Sequence, residues 1–122
     1  MKNIFSLSFV ISFLFFLSSC KPQHINFSNN YKEGKVIITV DASKISPLDP
    51  WAVDLSAKVY GFEKGTLHFE QQAKTLSETT IKFDWKDENT CIISFPDDDG
   101  SIRKFQLIAS AKQFYLAELS AE

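Results

Sequence analysis

The residues with the strongest claim to chemistry stand in one run, Asp97-Asp98-Asp99-Gly100. A calcium loop of the EF-hand type sets oxygen ligands at alternate positions ahead of a glycine. With Gly100 as that glycine, Asp97 and Asp99 fall on ligand positions. Phe95 then occupies the place of the first ligand, and Gln106 that of the bidentate carboxylate. The run therefore reads as a hairpin turn, where Asp and Gly are the expected residues. His24 and His68 lack metal-ligand spacing, and no Cys/His cluster supplies the roughly four N or S ligands of a zinc site. Both read as surface residues. There is no G-x-S-x-G elbow, no phosphate-cradling glycine loop and no H-E-x-x-H. These patterns give no catalytic residue, no metal ligand and no cofactor.

Two weaker arrangements remain. Carboxylates can meet across neighbouring strands, for example Asp54 with Glu70 or Asp84, which would suit a hydrolase working from surface acids. Tyr60 and Phe62 fall on the polar-facing register of the strand whose core face begins at Trp51. Aromatic side chains exposed on a sheet stack on sugars or anchor a protein partner. Tyr60 and Phe62 are the candidate binding residues.

The first twenty residues, MKNIFSLSFVISFLFFLSSC, have another kind of chemistry. Lys2 gives a positive start, and Ile4 to Leu17 is apolar apart from three serines, the layout of a secretory signal peptide. A membrane span needs about 20 apolar residues, and this run is shorter and closes in Ser-Ser-Cys. Leu17-Ser18-Ser19-Cys20 resembles the lipobox of bacterial lipoproteins. That resemblance covers the leader alone. It implies cleavage before Cys20, a diacylglycerol on the Cys20 thiol and acylation of the new amino group. One acyl chain anchors only marginally, whereas two or three hold a protein on a bilayer. Lys21, where an Asp would retain the protein in the inner membrane, points to the outer membrane of a bacterial envelope. Cys91 is then left without a partner in the chain. Its alternation with Ile93 and Phe95 places it in a core, as a small hydrophobe.

Those residues must be carried by strands. Residues 21–34 are polar and read as a tether following the lipidated Cys20, with a short edge strand at Ile25 to Ser28. From Lys35 onward the period is two: Val36, Ile38 and Val40; then Trp51, Val53, Leu55, Ala57 and Val59. Leu67 and Phe69 follow, then Ile81, Phe83 and Trp85, then Cys91, Ile93 and Phe95. Arg103, Phe105, Leu107 and Ala109 precede a last strand over Lys112 to Leu119. Seven strands at this spacing predict an all-β domain over 35–122, an antiparallel meander forming a β-sandwich or a small, partly open barrel. Trp51, Phe83 and Trp85 are expected to share its core.

Composition narrows the function. The chain has 122 residues and a formal charge of −2. Removing residues 1–19 takes away Lys2 and leaves 12 basic against 15 acidic residues, a formal −3. Opposite charges are interspersed, so the clustered Lys and Arg that nucleic acid demands are missing. The expectation is an envelope lipoprotein, held to the bilayer through acylated Cys20, whose non-catalytic β domain binds an envelope protein or glycan. The alternatives are the surface-carboxylate hydrolase and a carrier enclosing a small apolar ligand in a barrel.

Overall fold

The computed structural model describes residues 22–32 and 34–120. Eight antiparallel strands form two four-stranded sheets, and the described residues contain no helix. The first sheet runs β1 (Gln23–Asn30), β2 (Val36–Lys44), β3 (Trp51–Val59), β4 (Phe62–Gln71). The second runs β5 (Lys82–Asp87), β6 (Thr90–Pro96), β7 (Ile102–Ala109), β8 (Phe114–Glu118). Each sheet is a meander in sequence order, as short hairpin connections require. The two are not closed into a barrel, so the architecture is the sandwich of the two expected.

Alternation puts one side of each sheet in the space between them. Val36, Ile38, Val40 and Ala42 of β2 and Trp51, Val53, Leu55, Ala57 and Val59 of β3 are buried. Cys91, Ile93 and Phe95 of β6 and Phe105, Leu107 and Ala109 of β7 meet them from the other sheet. Phe69 stacks on Phe105 with centroids 4.4 Å apart and meets the edge of Phe95 at 5.1 Å. Such offset and edge-to-face pairs favour interlocked rings over a void.

The eighth strand, one more than the sequence reading counts, is β1. Residues 23–30 are a full strand, longer than the short edge expected at Ile25 to Ser28, and pair with β2 along their whole length, from Gln23 with Lys44 to Asn30 with Ile37. Ile25 and Phe27 are half-buried against the core, and Phe27 meets Phe83 edge-on at 6.1 Å. A polar strand holds here because an edge strand needs only one apolar row and one bonded side.

Two ends can be distinguished. At the entry end β1 begins, Gln23 opposite Lys44 and Trp51 opposite Gln71. The segment between β4 and β5 crosses this end and plugs it with Ala73, Leu76 and Ile81. The inward rows finish here in polar groups that are all partnered. Lys44 Nζ and Trp51 Nε1 donate to Ala73 O at 3.2 and 2.9 Å, and Gln71 Nε2 donates to Pro96 O at 2.6 Å. At the far end lie the β3–β4, β5–β6 and β7–β8 turns. Trp51 is fully buried, whereas Phe83 and Trp85 are half-buried at the β1–β5 edge, packed on the core's rim. Trp85 Nε1 donates to Asn29 Oδ1 at 2.8 Å.

Candidate functional site

The β3–β4 turn at the far end is unusual in what it displays. Val59 pairs with Phe62, so Tyr60 and Gly61 form a two-residue hairpin turn. Their φ angles are 53° and 82°, the left-handed pair of a type I′ turn, which normally selects Asn-Gly. Glycine takes that conformation freely. A tyrosine there carries steric strain between its Cβ and the following carbonyl oxygen. Tyr60 is nevertheless 58% exposed. Its N–H donates to Lys35 O at 3.0 Å, and Lys35 Nζ sits 4.9 Å from the ring centre. The neighbouring Tyr60 hydroxyl, with Glu88 further off, raises the Lys35 pKa.

Phe62 departs from its expected register. It lies opposite Val59, on the core side of the sheet and not with the polar row, yet it is 73% exposed. Strand lengths explain this. β8 starts at Phe114, and that ring packs on Gly65, three residues into β4. The start of β4 therefore overhangs the facing sheet, and a bulge between Ala57 and Lys58 breaks its register. Tyr60 within the turn and Phe62 just after it are thus exposed aromatics at the end away from β1's start.

The outer face of the first sheet brings together groups that sequence separates. Asp41 and Asp54 are direct partners across β2 and β3. His24 Nε2 lies 2.6 Å from Asp41 Oδ1, and His68 Nδ1 contacts Asp54 Oδ1. Each carboxylate thus faces a histidine on its far side. Asp54 meets neither Glu70 nor Asp84: in the register Glu70 is opposite Ala52, and Asp84 pairs with Lys86 in the other sheet. All four side chains of the row are substantially exposed, on a sheet face rather than in a cleft. Among the described residues no three His, Cys, Asp or Glu side chains are set to hold a metal ion. His68 stood on a polar-facing strand position in the sequence, but His24 read as part of the tether, and pairing either with an aspartate required the register.

Asp97–Gly100 is the β6–β7 turn. Gly100 takes φ 88° and its N–H donates to Asp97 O at 3.1 Å. Asp97, Asp98 and Asp99 accept from the backbone N–H groups of Asp99, Lys74 and Ser101, so all three carboxylates brace loops. The bonds from Ser101 hold the Asp99 pKa below its usual value. Cys91 is fully buried, and burial pushes its thiol up to about 12, far from a thiolate nucleophile at neutral pH. Cys20 lies outside the described residues.

A shallow groove of about 690 Å³ runs along Ser101 to Lys104 and Glu118 to Ser120. Its polar wall is Arg103, which sequence places on the inward row and which the structure spends on tying strands together. Nη1 donates to Glu70 O at 2.5 Å and Gln71 Oε1 at 3.0 Å, while the guanidinium lies over Phe69 and Phe105. In comparisons with family models, curated proteins and solved structures, the chain has no significant match.

Proposed function

We propose that the protein is a bacterial envelope lipoprotein, anchored through acylated Cys20, whose sandwich binds another envelope component through Tyr60 and Phe62. The observation that carries this reading is the Tyr60-Gly61 turn. A bulky side chain is kept in a left-handed conformation that Asn or Gly would adopt at less cost, and it is displayed rather than packed. The turn sits at the far end of the sandwich, the end an anchor at residue 20 would hold away from its bilayer. Aromatic rings on such a tip suit a protein groove or the apolar face of a sugar.

Two features favour binding over the rival readings. The Asp41–Asp54 row lies open to water, without the concave, water-excluding surround that an enzyme's acids use. The space between the sheets is occupied by Phe69, Phe95 and Phe105 in mutual contact, and a carrier would need that volume for its ligand. The test is in-cell photo-crosslinking from positions 60 and 62, with position 43 on the outer face as the control. A discrete adduct from each turn position, abolished when the other position in the same chain is changed (Phe62→Ser with the probe at 60, Tyr60→Ser with the probe at 62), supports the reading. Equal yields from position 43 would sink it.

A further inference from the structure

The entry end has its own exposed apolar residues. Ile45 is 74% and Leu48 94% exposed, and both belong to the β2–β3 connection. Leu48 occupies the third position of a turn, Ser46-Pro47-Leu48-Asp49, closed by Asp49 N–H donating to Ser46 O at 3.1 Å. Proline at the second position fixes φ for this kind of turn. The leucine is therefore held outward by a stiff loop, not left over on a floppy one. Ile102, exposed where β7 begins, lies at the same end.

Chain geometry says what covers these residues. Gln23 is paired with Lys44, and Ile45 is the next residue along. Cys20 is three residues before Gln23, a span of at most about 10 Å even when fully extended. Lipid on Cys20 would thus hold the Ile45–Leu48 loop within a side chain's length or two of the bilayer surface. We infer that this loop rests in the membrane that carries the anchor, with Ile45 and Leu48 among the headgroups and upper acyl chains. The inference depends on Cys20 being acylated, as proposed above.

Charge decides the kind of lipid. Asp49 adjoins Leu48, the Asp97–Asp99 turn lies at the same end, and the nearest lysine, Lys44, is turned inward onto Ala73 O. The Ile45–Asp49 loop itself carries one acid and no lysine or arginine, and exposed Lys74 at this end sits against the Asp97–Asp99 turn, its backbone N–H donating to Asp98. The contact is apolar, indifferent to salt and no stronger on acidic lipid.

The test uses full-length protein purified from membranes. Leu48→Cys and, as the far-end control, Lys112→Cys are each labelled with an environment-sensitive dye. Buried Cys91 stays unlabelled in the native state. The proteins are reconstituted in vesicles of phosphatidylcholine and phosphatidylethanolamine, and intact mass reports the lipid on Cys20. On acylated protein the dye at 48 should be quenched several-fold more by spin-labelled lipid than the dye at 112, and less by aqueous iodide. Added phosphatidylglycerol or high salt should leave that difference in place. Equal iodide quenching at both positions on acylated protein overturns the membrane contact and leaves the anchor standing. An N-terminus without acyl mass overturns the anchor and this contact with it.

Discussion

Arg103 and Glu118 form a two-pronged ion pair, Nε to Oε2 at 2.9 Å and Nη2 to Oε1 at 2.8 Å, that joins β7 to β8 while the same guanidinium reaches β4. The two sheets share no strand, so their β4 and β8 edges need side chains to close the gap. Arg103 does this with a planar fork that a lysine could not reproduce. Phe69 and Phe105 beneath it limit water on one side.

The pair makes stability depend on acid. Arg103 bonding holds the Glu118 carboxyl below its ordinary value. A carboxylate favoured only in the fold adds stability above the unfolded value of about 4.3 and loses it as pH falls through the lower folded value. Glu118 is partly exposed, so the contribution is about 1 kcal/mol or less. Glu118→Gln should lower the melting temperature at pH 7 and flatten its decline below pH 4. A variant that melts like the parent at pH 7 would show the pair to be ornamental.

Cys91 gives a clean probe of unfolding. With its thiol buried and its pKa pushed up to about 12, it should not react with a thiol reagent in the folded protein at pH 8. In denaturant it should react fully, with a midpoint matching the loss of Trp fluorescence. Rapid labelling without denaturant would mean that β6 opens locally.

Trp51 and Trp85, alike in the sequence, should differ in cost. Trp51→Ala removes a fully buried ring and should destabilise by about 3–5 kcal/mol. Trp85→Ala loses a half-buried ring and one hydrogen bond to Asn29, and should cost less. Denaturant melts of the two variants decide this, and equal losses would contradict the rim position of Trp85.

β2, β3 and β6 were legible because each keeps strict alternation, as from Val36 to Val40 and from Cys91 to Phe95. β1 was only half legible, since Ile25 and Phe27 are its two core contacts amid polar neighbours. Alternation gives a residue's face but not its partner across the sheet, so the His24–Asp41 and Asp54–His68 pairs were out of reach. The same limit hid Phe62. Its neighbours imply the polar row, but a two-residue turn reverses the chain, and the overhang of β4 beyond β8 depends on strand lengths in the other sheet. Alternation put Arg103 on the inward row, but that its guanidinium ties β7 to β8 and β4 depended on which strands face each other.

At Gly65 the space a side chain would take is filled by a ring from the facing sheet. A Cβ there would stand 2.7 Å from Phe114 Cε1. Gly65→Ala should force that ring aside and cost about 1–3 kcal/mol, as overpacking does. Adding Phe114→Leu should recover part of the loss. If the single variant is as stable as the parent, β4 and β8 do not meet at this point.

The Tyr60-Gly61 turn yields the sharpest prediction, because strain and binding pull in opposite directions. Tyr60→Asn replaces a residue ill-suited to φ 53° with the one a type I′ turn prefers. Left-handed backbone costs an ordinary residue roughly 1–2 kcal/mol, and Asn less. The variant loses the contact of Lys35 with the ring, but both groups are exposed and that contact is weak. The net result should be a rise in melting temperature of a few degrees for a domain of this size. If Tyr60 is there to be displayed, the same variant should lose the crosslinked adduct formed from position 62. A Tyr60→Asn protein that is both more stable and fully competent in capture would leave the tyrosine with no role in binding, and would move the search for the partner surface to the row formed by His24, Asp41, Asp54 and His68.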